Sequence, residues 1–248
     1  MKITNAGLHF KNGNYFHDLG RLDKAILEYL EALDMDPNLA EAHNNLGIVY
    51  RKKRQYMEAI IEYKKALKID PMLDNTYDNL GVVYLEKRIL DKAMIAFTDA
   101  IRINPNNPLA HSNLGTVYDR KGDYEKAIEE YQQALKIDPE MKEAHYNLGI
   151  VYGIIGKLDE SIIEFKKALQ LESSDAESHF NLALSYKKKG MLRKSIAEYE
   201  TAIKIDSNFS EAHYNLSILY GMIGKQKESI METKKFLDLR ENMNNISN

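Results

Sequence analysis

The chain has 248 residues, of which 44% are hydrophobic and 29% are charged, and its formal net charge at pH 7 is −3. This length and composition support a sizeable core, and the small net charge gives no electrostatic reason to expect DNA, RNA or an anionic membrane surface as a partner. The chain has no cysteine, which excludes disulfides and thiolate metal sites.

The first residues and the hydropathy pattern bear on the compartment. Residues 1–16 lack the apolar run of about 7–15 residues that a secretory signal peptide needs. No stretch approaches the roughly 18 consecutive apolar residues of a membrane-spanning helix. We therefore predict a cytoplasmic protein without membrane insertion.

The sequence repeats itself with a period of 34 residues. Residues 143–162 (EAHYNLGIVYGIIGKLDESI) and 211–230 (EAHYNLSILYGMIGKQKESI) are nearly the same, and a related copy lies halfway between them, at residues 177–196. A period of about 20–50 residues is typical of repeat architectures. Stepping by 34 in both directions predicts seven repeats, at residues 6–39, 40–73, 74–107, 108–141, 142–175, 176–209 and 210–243.

Each repeat is predicted to form two helices. In the second repeat, Ala42, Leu46 and Tyr50 recur at helical spacing in the first half, and Tyr63 and Ala66 do so in the second half. Between the halves stand stretches such as RKGD and KKKG, in which glycine is expected to end a helix in the left-handed conformation. A single hairpin cannot bury its own apolar faces, so the repeats must stack. The sequence therefore predicts an all-α fold, an α-solenoid of seven antiparallel helical hairpins.

The two ends of the chain depart from the pattern. Lys11 and Asn12 replace the Asn-Leu pair of the later repeats, and the segment NGN at 12–14 is poor helix sequence, so we expect a frayed first helix. The last repeat has Thr233 where the others have an aromatic residue. It is followed by a polar tail, residues 244–248, which we expect to be disordered.

Several positions carry the same kind of residue in successive repeats. The eighth position is small: Gly13, Gly47, Gly81, Gly115, Gly149, Ala183 and Ser217. The twentieth is also small: Ala25, Ala59, Ala93, Ala127, Ser161, Ser195 and Ser229. The twenty-fourth is aromatic in six repeats: Tyr29, Tyr63, Phe97, Tyr131, Phe165 and Tyr199.

This pattern resembles the tetratricopeptide repeat (TPR), which has the same length and the same small and aromatic positions. The resemblance covers residues 6 to about 243. It implies one solenoid domain over residues 1–248, a right-handed superhelix, and a concave groove lined by the first helix of each repeat.

The sixth position forms an unbroken ladder of asparagines: Asn45, Asn79, Asn113, Asn147, Asn181 and Asn215. Asparagine is a mediocre helix former, so its recurrence at one helical position needs a reason. The resemblance implies that this position faces the groove. The ladder is similar to that of the TPR superhelix of O-GlcNAc transferase, in which such asparagines hold a peptide main chain. A side-chain amide offers one acceptor and two donors for that purpose. The alternative is that asparagine is simply common at this position in the family.

The positions implied to face the groove change character along the chain. In the last three repeats the fifth and ninth positions are aromatic or aliphatic: Tyr146, Ile150, Phe180, Leu184, Tyr214 and Ile218. Gly153 and Gly221 occupy the twelfth position, where a ligand packing on bare backbone would offset a helix cost of roughly 0.5–1 kcal/mol. We predict an apolar peptide-binding segment there. The alternative is a duplication that copied the glycines without any role in binding.

The histidines share one position. Six of the seven are at the fourth position of a repeat: His9, His43, His111, His145, His179 and His213. Parallel side chains on helices roughly 8–10 Å apart do not converge on one ion with bonds of about 2 Å. We therefore predict packing between repeats and no metal site. Neither a phosphate-binding glycine loop nor a nucleophile elbow is present, so no cofactor or catalytic residue is predicted.

Together these features predict a non-catalytic scaffold that binds a protein or an extended peptide segment, and not nucleic acid, through the asparagine ladder and the apolar segment. Two alternatives remain open. In the first, the chain is the substrate-targeting module of a larger enzyme, such as a glycosyltransferase. In the second, it is a self-assembling scaffold in which the groove of one copy accepts the N-terminal repeat of another.

Overall fold

The structure is a computed structural model that describes the backbone of residues 5–246 and the side chains of residues 5–242. The described residues form fourteen α-helices and no strand, which confirms the predicted all-α fold. In chain order the helices are α1 (Asn5–Asp18), α2 (Leu22–Met35), α3 (Ala40–Lys52), α4 (Tyr56–Ile69), α5 (Asp74–Glu86), α6 (Leu90–Ile103), α7 (Pro108–Lys121), α8 (Tyr124–Ile137), α9 (Lys142–Ile154), α10 (Leu158–Leu171), α11 (Ala176–Lys188), α12 (Leu192–Ile205), α13 (Ser210–Met222) and α14 (Gln226–Ile246).

The helices pack as hairpins, each odd-numbered helix against the even-numbered helix that follows it. The chain divides into two compact units, Met1–Ile137 with α1–α8 and Asp138–Asn248 with α9–α14. The sequence predicted a single domain over residues 1–248. In a repeat protein each hairpin packs only on its neighbours. A repeat pattern that runs unbroken past residue 137 therefore carries no signal for a division.

A close approach of the two helices explains the small eighth position. The ring of Tyr63 lies directly on Gly47, where an added Cβ would be 2.6 Å from a ring carbon. At Gly81 the same distance to the Phe97 ring is 2.5 Å. Real Cβ atoms do not approach a ring this closely, so glycine is required at these positions. Ala183 is fully buried at the same position of the sixth repeat, so that hairpin accommodates a Cβ.

The twentieth position distinguishes the units. Ala93 and Ala127 in the first unit are fully buried. In the second unit serine takes this place, and its hydroxyl donates to a main-chain carbonyl of the facing helix. The Ser161 Oγ to Gly149 O distance is 2.8 Å, and the Ser195 Oγ to Ala183 O distance is 2.7 Å. Each buried hydroxyl therefore has an acceptor, as burial requires.

The histidines at the fourth position join the two helices of one hairpin. The pairs of histidine Nδ1 and glutamate Oε2, 2.5–2.7 Å apart, are His9–Glu28, His43–Glu62, His111–Glu130, His145–Glu164, His179–Glu198 and His213–Glu232. In five of these pairs the histidine Nε2 also lies 3.0–3.2 Å from a carbonyl oxygen of the preceding loop. The third repeat has Tyr77 in place of the histidine and Ala96 in place of the glutamate. The predicted packing between repeats is therefore mainly a contact within each repeat.

These contacts set the ionisation of the buried glutamates. Burial by itself raises the pKa of Glu62, but hydrogen bonds from His43 and Lys65 outweigh burial and bring the pKa below its ordinary value. The pKa of Glu164 is lowered by the same balance, with His145 and Lys167 as the donors. Both carboxylates therefore stabilise the fold in their charged form.

Left-handed residues separate the helices of each hairpin, as predicted from the glycine stretches. Gly122 and Gly190 have φ of 78° and 77°. Arg54 and Arg88 occupy the equivalent place in the second and third repeats with φ of 58°. The turn is thus maintained even where the residue has a Cβ, at some cost in backbone energy.

Both ends of the chain are more helical than predicted. The first helix is continuous from Asn5 to Asp18, because Ala6 and Gly13 are buried and packing outweighs weak helix propensity. At the other end α14 has 21 residues, and no glycine or proline interrupts it. Residues 244–246 of the tail that was predicted to be disordered are therefore helical. Ser247 and Asn248 lie outside the described residues.

Candidate functional site

The candidate site in the second unit is built on its three first helices, α9, α11 and α13. In α9, Tyr146, Ile150 and Gly153 lie at i, i+4 and i+7, so they share one face of the helix. The equivalent residues of α11 are Phe180 and Leu184, and those of α13 are Tyr214, Ile218 and Gly221. We call the surface formed by these residues the first-helix face of the second unit.

Part of this face also belongs to the hairpin core. The ring of Tyr146 packs edge-on against Phe165, with centroids 5.9 Å apart. Phe180 stacks on Phe209 at 4.8 Å and contacts Tyr199 at 5.5 Å. Tyr146 and Phe180 are half-buried, as are Ile150 and Leu184. Their apolar character therefore has a structural role independent of any ligand.

Other side chains of the face are freely accessible. Tyr214 is 49% exposed and Ile218 is 36% exposed. Ile154 and Met222, at the thirteenth position, are 51% and 63% exposed. The predicted site omits Ile154 and Met222, although they stand where the second and sixth repeats have lysine. An aliphatic residue at an otherwise charged, exposed position was the signal that would have included them.

The two predicted glycines are in different surroundings. A Cβ added to Gly153 would lie 3.2 Å from the Ser161 Oγ, whereas one added to Gly221 would lie 3.5 Å from the Ser229 Oγ, an ordinary contact distance. The carbonyl of Gly153 also accepts a hydrogen bond of 2.9 Å from the Lys188 Nζ. Gly153 is therefore partly engaged within the unit, and packing does not require glycine at position 221.

In the first unit the asparagine ladder forms hydrogen bonds within the protein. The Asn45 Nδ2 donates to the Asn14 Oδ1 at 2.9 Å. The Asn79 Nδ2 donates to the Asn44 Oδ1 at 3.1 Å, and the Asn113 Nδ2 donates to the Asp78 Oδ1 at 3.0 Å. Each amide thus reaches a polar side chain on the first helix of the preceding hairpin. The ladder in this unit links neighbouring repeats.

In the second unit the ladder is less uniform. The Asn181 Nδ2 donates to the Tyr146 hydroxyl at 3.0 Å and to the carbonyl of Glu177 at 3.0 Å. Asn215 donates to the Glu211 carbonyl at 2.9 Å and accepts from the Lys187 Nζ at 3.0 Å. Within the described part of its own unit, Asn147 has no side-chain hydrogen bond. The fifth position explains the difference, because Phe180 offers Asn215 no acceptor.

A row of acidic side chains borders the first-helix face. Glu143, Glu177 and Glu211 occupy the second position of the last three repeats, and all three are exposed. Burial raises the pKa of Glu177, and so do the negative charges of Asp175 and Glu211. Burial also raises the pKa of Tyr146, and the negative charges of Glu177 and Asp175 raise it further. The potential at this edge is therefore negative.

A separate cleft of about 1100 Å³ lies on the first unit, between the second helices α2 and α4. Its apolar lining includes Leu27, Leu30 and Ile69, and its charged lining includes Glu31 and Lys68. It contains none of the residues that were predicted to bind a peptide. Because the asparagines and the apolar segment lie on first helices, we base the candidate site on the first-helix face instead.

Two further properties limit the chemistry of the described residues. No group of three or more histidine, aspartate or glutamate side chains among them is arranged to hold a metal ion. None of the helices described has the length and apolar character needed to cross a membrane.

Comparison with known families agrees with the repeat geometry. A TPR repeat model matches residues 13–53, 117–153, 154–190 and 186–224, and tetratricopeptide repeat models match residues 40–73, 75–107 and 96–129. The chain belongs to the tetratricopeptide repeat family. This TPR protein is matched by no curated protein sequence.

Several solved structures resemble this TPR protein. MamA is 31% identical over 70% of this chain and 94% of its own, with a TM-score of 0.60. YrrB, described as a TPR protein with an unusual peptide-binding site, is 23% identical over 74% of this chain and 95% of its own, with a TM-score of 0.62. A tetratricopeptide repeat protein from Parabacteroides merdae is 19% identical over 95% of this chain and 93% of its own, with a TM-score of 0.71.

These matches bear on the function class. The TPR fold is typically a non-catalytic interaction module, and no enzyme family is indicated for this chain. The family supports a protein–protein interaction scaffold.

Proposed function

We propose that this TPR protein is a scaffold that binds a peptide segment of a partner protein on the first-helix face of its second unit. The observation that carries the proposal is the exposure of Ile154, Tyr214, Ile218 and Met222 on that face. Tyr214, Ile218 and Met222 are neighbours at i, i+4 and i+8 of α13. Exposed apolar residues that lie together in this way mark interaction surfaces more often than singly scattered ones do. In the first unit the thirteenth position is charged in every repeat, and the fifth position is polar in the second to fourth repeats, so the repeat scaffold itself does not require apolar residues there.

The asparagines of the second unit are proposed to hold the peptide main chain. The Asn147 amide is free of partners within its unit, and the Asn181 Oδ1 accepts no hydrogen bond from the described residues. An amide with unused donors or acceptors suits a peptide backbone, which offers both. Asn45, Asn79 and Asn113 are weaker candidates, because their amide groups already bind side chains of the neighbouring repeat.

The proposal is tested with two isoleucines of equal exposure on opposite sides of the same unit. Ile154 is on the first-helix face, whereas Ile163 is on α10, and each is 51% exposed. A partner captured with the full chain is expected to bind the variant Ile154→Ser with Met222→Ser about tenfold more weakly, as loss of interface anchors usually costs. The control Ile163→Ser should bind it as the wild type does. Equal binding by all three proteins would reject the first-helix face.

The asparagines require a separate measurement. Substituting alanine at Asn147 and Asn181 together should weaken binding of the same partner without a large change in the melting temperature. The two residues are half-buried, and Asn181 loses only one hydrogen bond to another side chain, from its Nδ2 to the Tyr146 hydroxyl. An unchanged affinity would show that these asparagines do not hold the peptide main chain, and binding would then depend on the apolar contacts alone.

A second candidate function is self-association through the N-terminal repeat. Leu8 and Tyr15 of α1 are 49% and 60% exposed, whereas the alanines and valines that match them in later repeats, such as Ala42 and Val49, are fully buried. Light scattering on the variant Leu8→Ser with Tyr15→Ser tests it. A wild-type mass larger than one chain that falls to one chain in the variant is expected. A wild type that is already monomeric at high concentration would reject it.

A further inference from the structure

We infer that the segment bound by the second unit carries lysine or arginine side chains along one edge, and that these lie against Glu143, Glu177 and Glu211. This inference rests on the proposed function and adds the charge of the partner to it. The three glutamates are spaced by one repeat, so they form a row across α9, α11 and α13.

The acidic row is aligned with the apolar part of the face. Each glutamate stands three residues before an aromatic residue of the same helix, as Glu143 does before Tyr146. Residues at i and i+3 are neighbours on a helix surface. In the first unit the second position is Gly7, Glu41, Asn75 and Leu109. The acidic row and the aromatic row therefore occur in the same three repeats.

The described residues place no ammonium or guanidinium group in direct contact with the three glutamates, although Glu143 acts at longer range on Lys142. No ion pair joins the carboxylates of Glu143, Glu177 and Glu211 to the described residues. The nearby Lys142 is engaged elsewhere, with its Nζ 2.7 Å from the Glu172 carboxylate. Burial raises the pKa of Glu177, and the like charges of Asp175 and Glu211 add to that effect. A cation from a partner would relieve that repulsion.

The opposite edge of the face determines the orientation of the ligand. Lys187 and Lys188 stand at the C-terminal end of α11. Their ammonium groups donate to the Asn215 Oδ1 and to the Gly153 carbonyl. A ligand cation placed at this edge would meet positive charge, whereas one at the N-terminal edge meets carboxylates. The basic edge of the ligand is therefore assigned to the N-terminal ends of the helices.

The repeat spacing sets the spacing of the basic residues. Packed helices lie roughly 8–10 Å apart. An extended chain advances about 3.3 Å per residue, and polyproline II advances about 9 Å per turn of three residues. A basic residue at every third position of the ligand therefore matches one glutamate per repeat.

A glutamate in the first turn of a helix also stabilises that helix through its dipole. Such a role changes stability but does not discriminate between basic and acidic ligands. Peptide selectivity therefore separates the two explanations.

The test uses labelled peptides of about nine residues, which span roughly 30 Å when extended. Three copies of Leu-Lys-Ser, of Leu-Glu-Ser and of Ser-Lys-Ser are titrated with the full chain, and binding is followed by fluorescence anisotropy. At low salt the Leu-Lys-Ser peptide is expected to bind about tenfold more tightly than the Leu-Glu-Ser peptide, since each exposed ion pair adds only a modest factor. The ratio should shrink as salt screens the charges.

The variant E143Q/E177Q/E211Q is expected to bind the two leucine peptides with equal affinity. The matched control, E58Q/E125Q/E160Q, neutralises three exposed glutamates of second helices and should retain the wild-type ratio. Thermal melts of both variants check the fold. The ratio of the two leucine-peptide affinities is also measured on the wild-type protein alone. That measurement tests the inference even if the triple variant is unstable.

The outcomes distinguish this inference from the proposed function. If wild type binds both leucine peptides equally and Ile154→Ser weakens both, the acidic row has no role and the apolar site stands. If the Leu-Lys-Ser peptide binds no better than Ser-Lys-Ser, or Ile154→Ser leaves its affinity unchanged, the apolar site is wrong and the charge inference falls with it.

Discussion

The two units share one scaffold but present different first-helix faces. In the first unit the fifth position is polar in the second to fourth repeats, and the asparagines bind side chains of the preceding hairpin. In the second unit the same positions are aromatic or aliphatic, and Tyr214 and Met222 remain accessible. The comparison shows that the contacts within a hairpin maintain the repeat, whereas the first-helix face is free to vary.

The difference has an energetic consequence. Polar groups that already bind each other gain little from a partner, because any new hydrogen bond replaces an existing one. Exposed apolar area gains about 25 cal/mol per Å² when a partner covers it. The second unit is therefore the better binding surface, and the first unit is the better control.

The largest expected effect tests what the units share. Glu164→Ala leaves buried His145 without its carboxylate and is expected to cost about 3 kcal/mol of unfolding free energy, as does breaking other buried pairs. Glu62→Ala in the first unit should cost a similar amount. Urea unfolding followed by circular dichroism measures both. A marked difference between them would show that the scaffold is not equivalent in the two units.

The third repeat supplies a control for that prediction. It has Tyr77 and Ala96 where the others have histidine and glutamate. The double variant His145→Tyr with Glu164→Ala is therefore expected to recover part of the lost stability. No recovery would mean that the third repeat compensates through other residues.

The next prediction concerns the small twentieth position. Ala127→Leu introduces three carbon atoms into a fully buried site and is expected to cost roughly 1–3 kcal/mol through overpacking. Ala197→Leu, at an exposed position of α12, is the matched control and should change stability little. A thermal melt of each variant measures the change in stability. Equal melting temperatures would contradict the assigned helix contact.

Two buried tyrosine hydroxyls, one in each unit, should respond with opposite signs. The Tyr131 hydroxyl donates to the Thr116 Oγ1 at 3.1 Å, so Tyr131→Phe is expected to cost about 1 kcal/mol. The Tyr199 hydroxyl is buried without a partner, so Tyr199→Phe should leave stability unchanged or raise it. The urea unfolding midpoints of the two variants, compared with that of the wild type, measure both effects. A loss of stability in Tyr199→Phe would reveal a bonded water or an unseen partner.

The buried glutamates predict a dependence on pH. The folded pKa of Glu62 and that of Glu164 lie below their ordinary value, so the stability they contribute is complete above that value and is lost as the pH falls through the folded pKa. The urea midpoint is expected to decrease as the pH falls from about 5 to about 3. The double variant Glu62→Gln with Glu164→Gln should show a shallower decrease over the same range.

The smallest expected effect is that of Gly221, and Gly81 provides the contrast. A Cβ at Gly221 would lie at an ordinary contact distance, 3.5 Å from the Ser229 Oγ, and Gly221 is the last residue but one of α13. Gly221→Ala is therefore expected to stabilise α13 by up to about 0.5 kcal/mol through helix propensity. Gly81→Ala would place a Cβ 2.5 Å from the Phe97 ring and should destabilise the first unit instead. If Gly221→Ala also weakens binding of the captured partner, the bare backbone at Gly221 contributes to that binding. Unchanged binding would favour duplication as the origin of this glycine.

The hairpins and their small and aromatic positions were predictable, because each depends on contacts between residues 12 to 19 apart in one repeat. The Ser161 hydroxyl and the Gly149 carbonyl illustrate this, and so do the ring of Tyr63 and Gly47. A 34-residue period places such pairs in every copy, so the pattern itself reports the contact. The histidine–glutamate pairs were also visible as two columns, and the joint change to Tyr77 and Ala96 was the overlooked signal.

The candidate site was predicted less well, because its residues look alike in the sequence and differ only in accessibility. Ile150 and Ile154 are four residues apart on α9, yet one is half-buried against the core and the other is exposed. The continuity of α14 to Ile246 also escaped a judgement based on its polar composition.

By itself the sequence determined that this chain forms repeated helical hairpins and which positions must be small or aromatic, since helix periodicity and the repeat length are local properties of the chain. The tertiary structure decided which polar groups are already satisfied and which apolar groups remain exposed. Hydrogen bonding and solvent access depend on side chains brought together from neighbouring repeats, and a single repeat does not specify them.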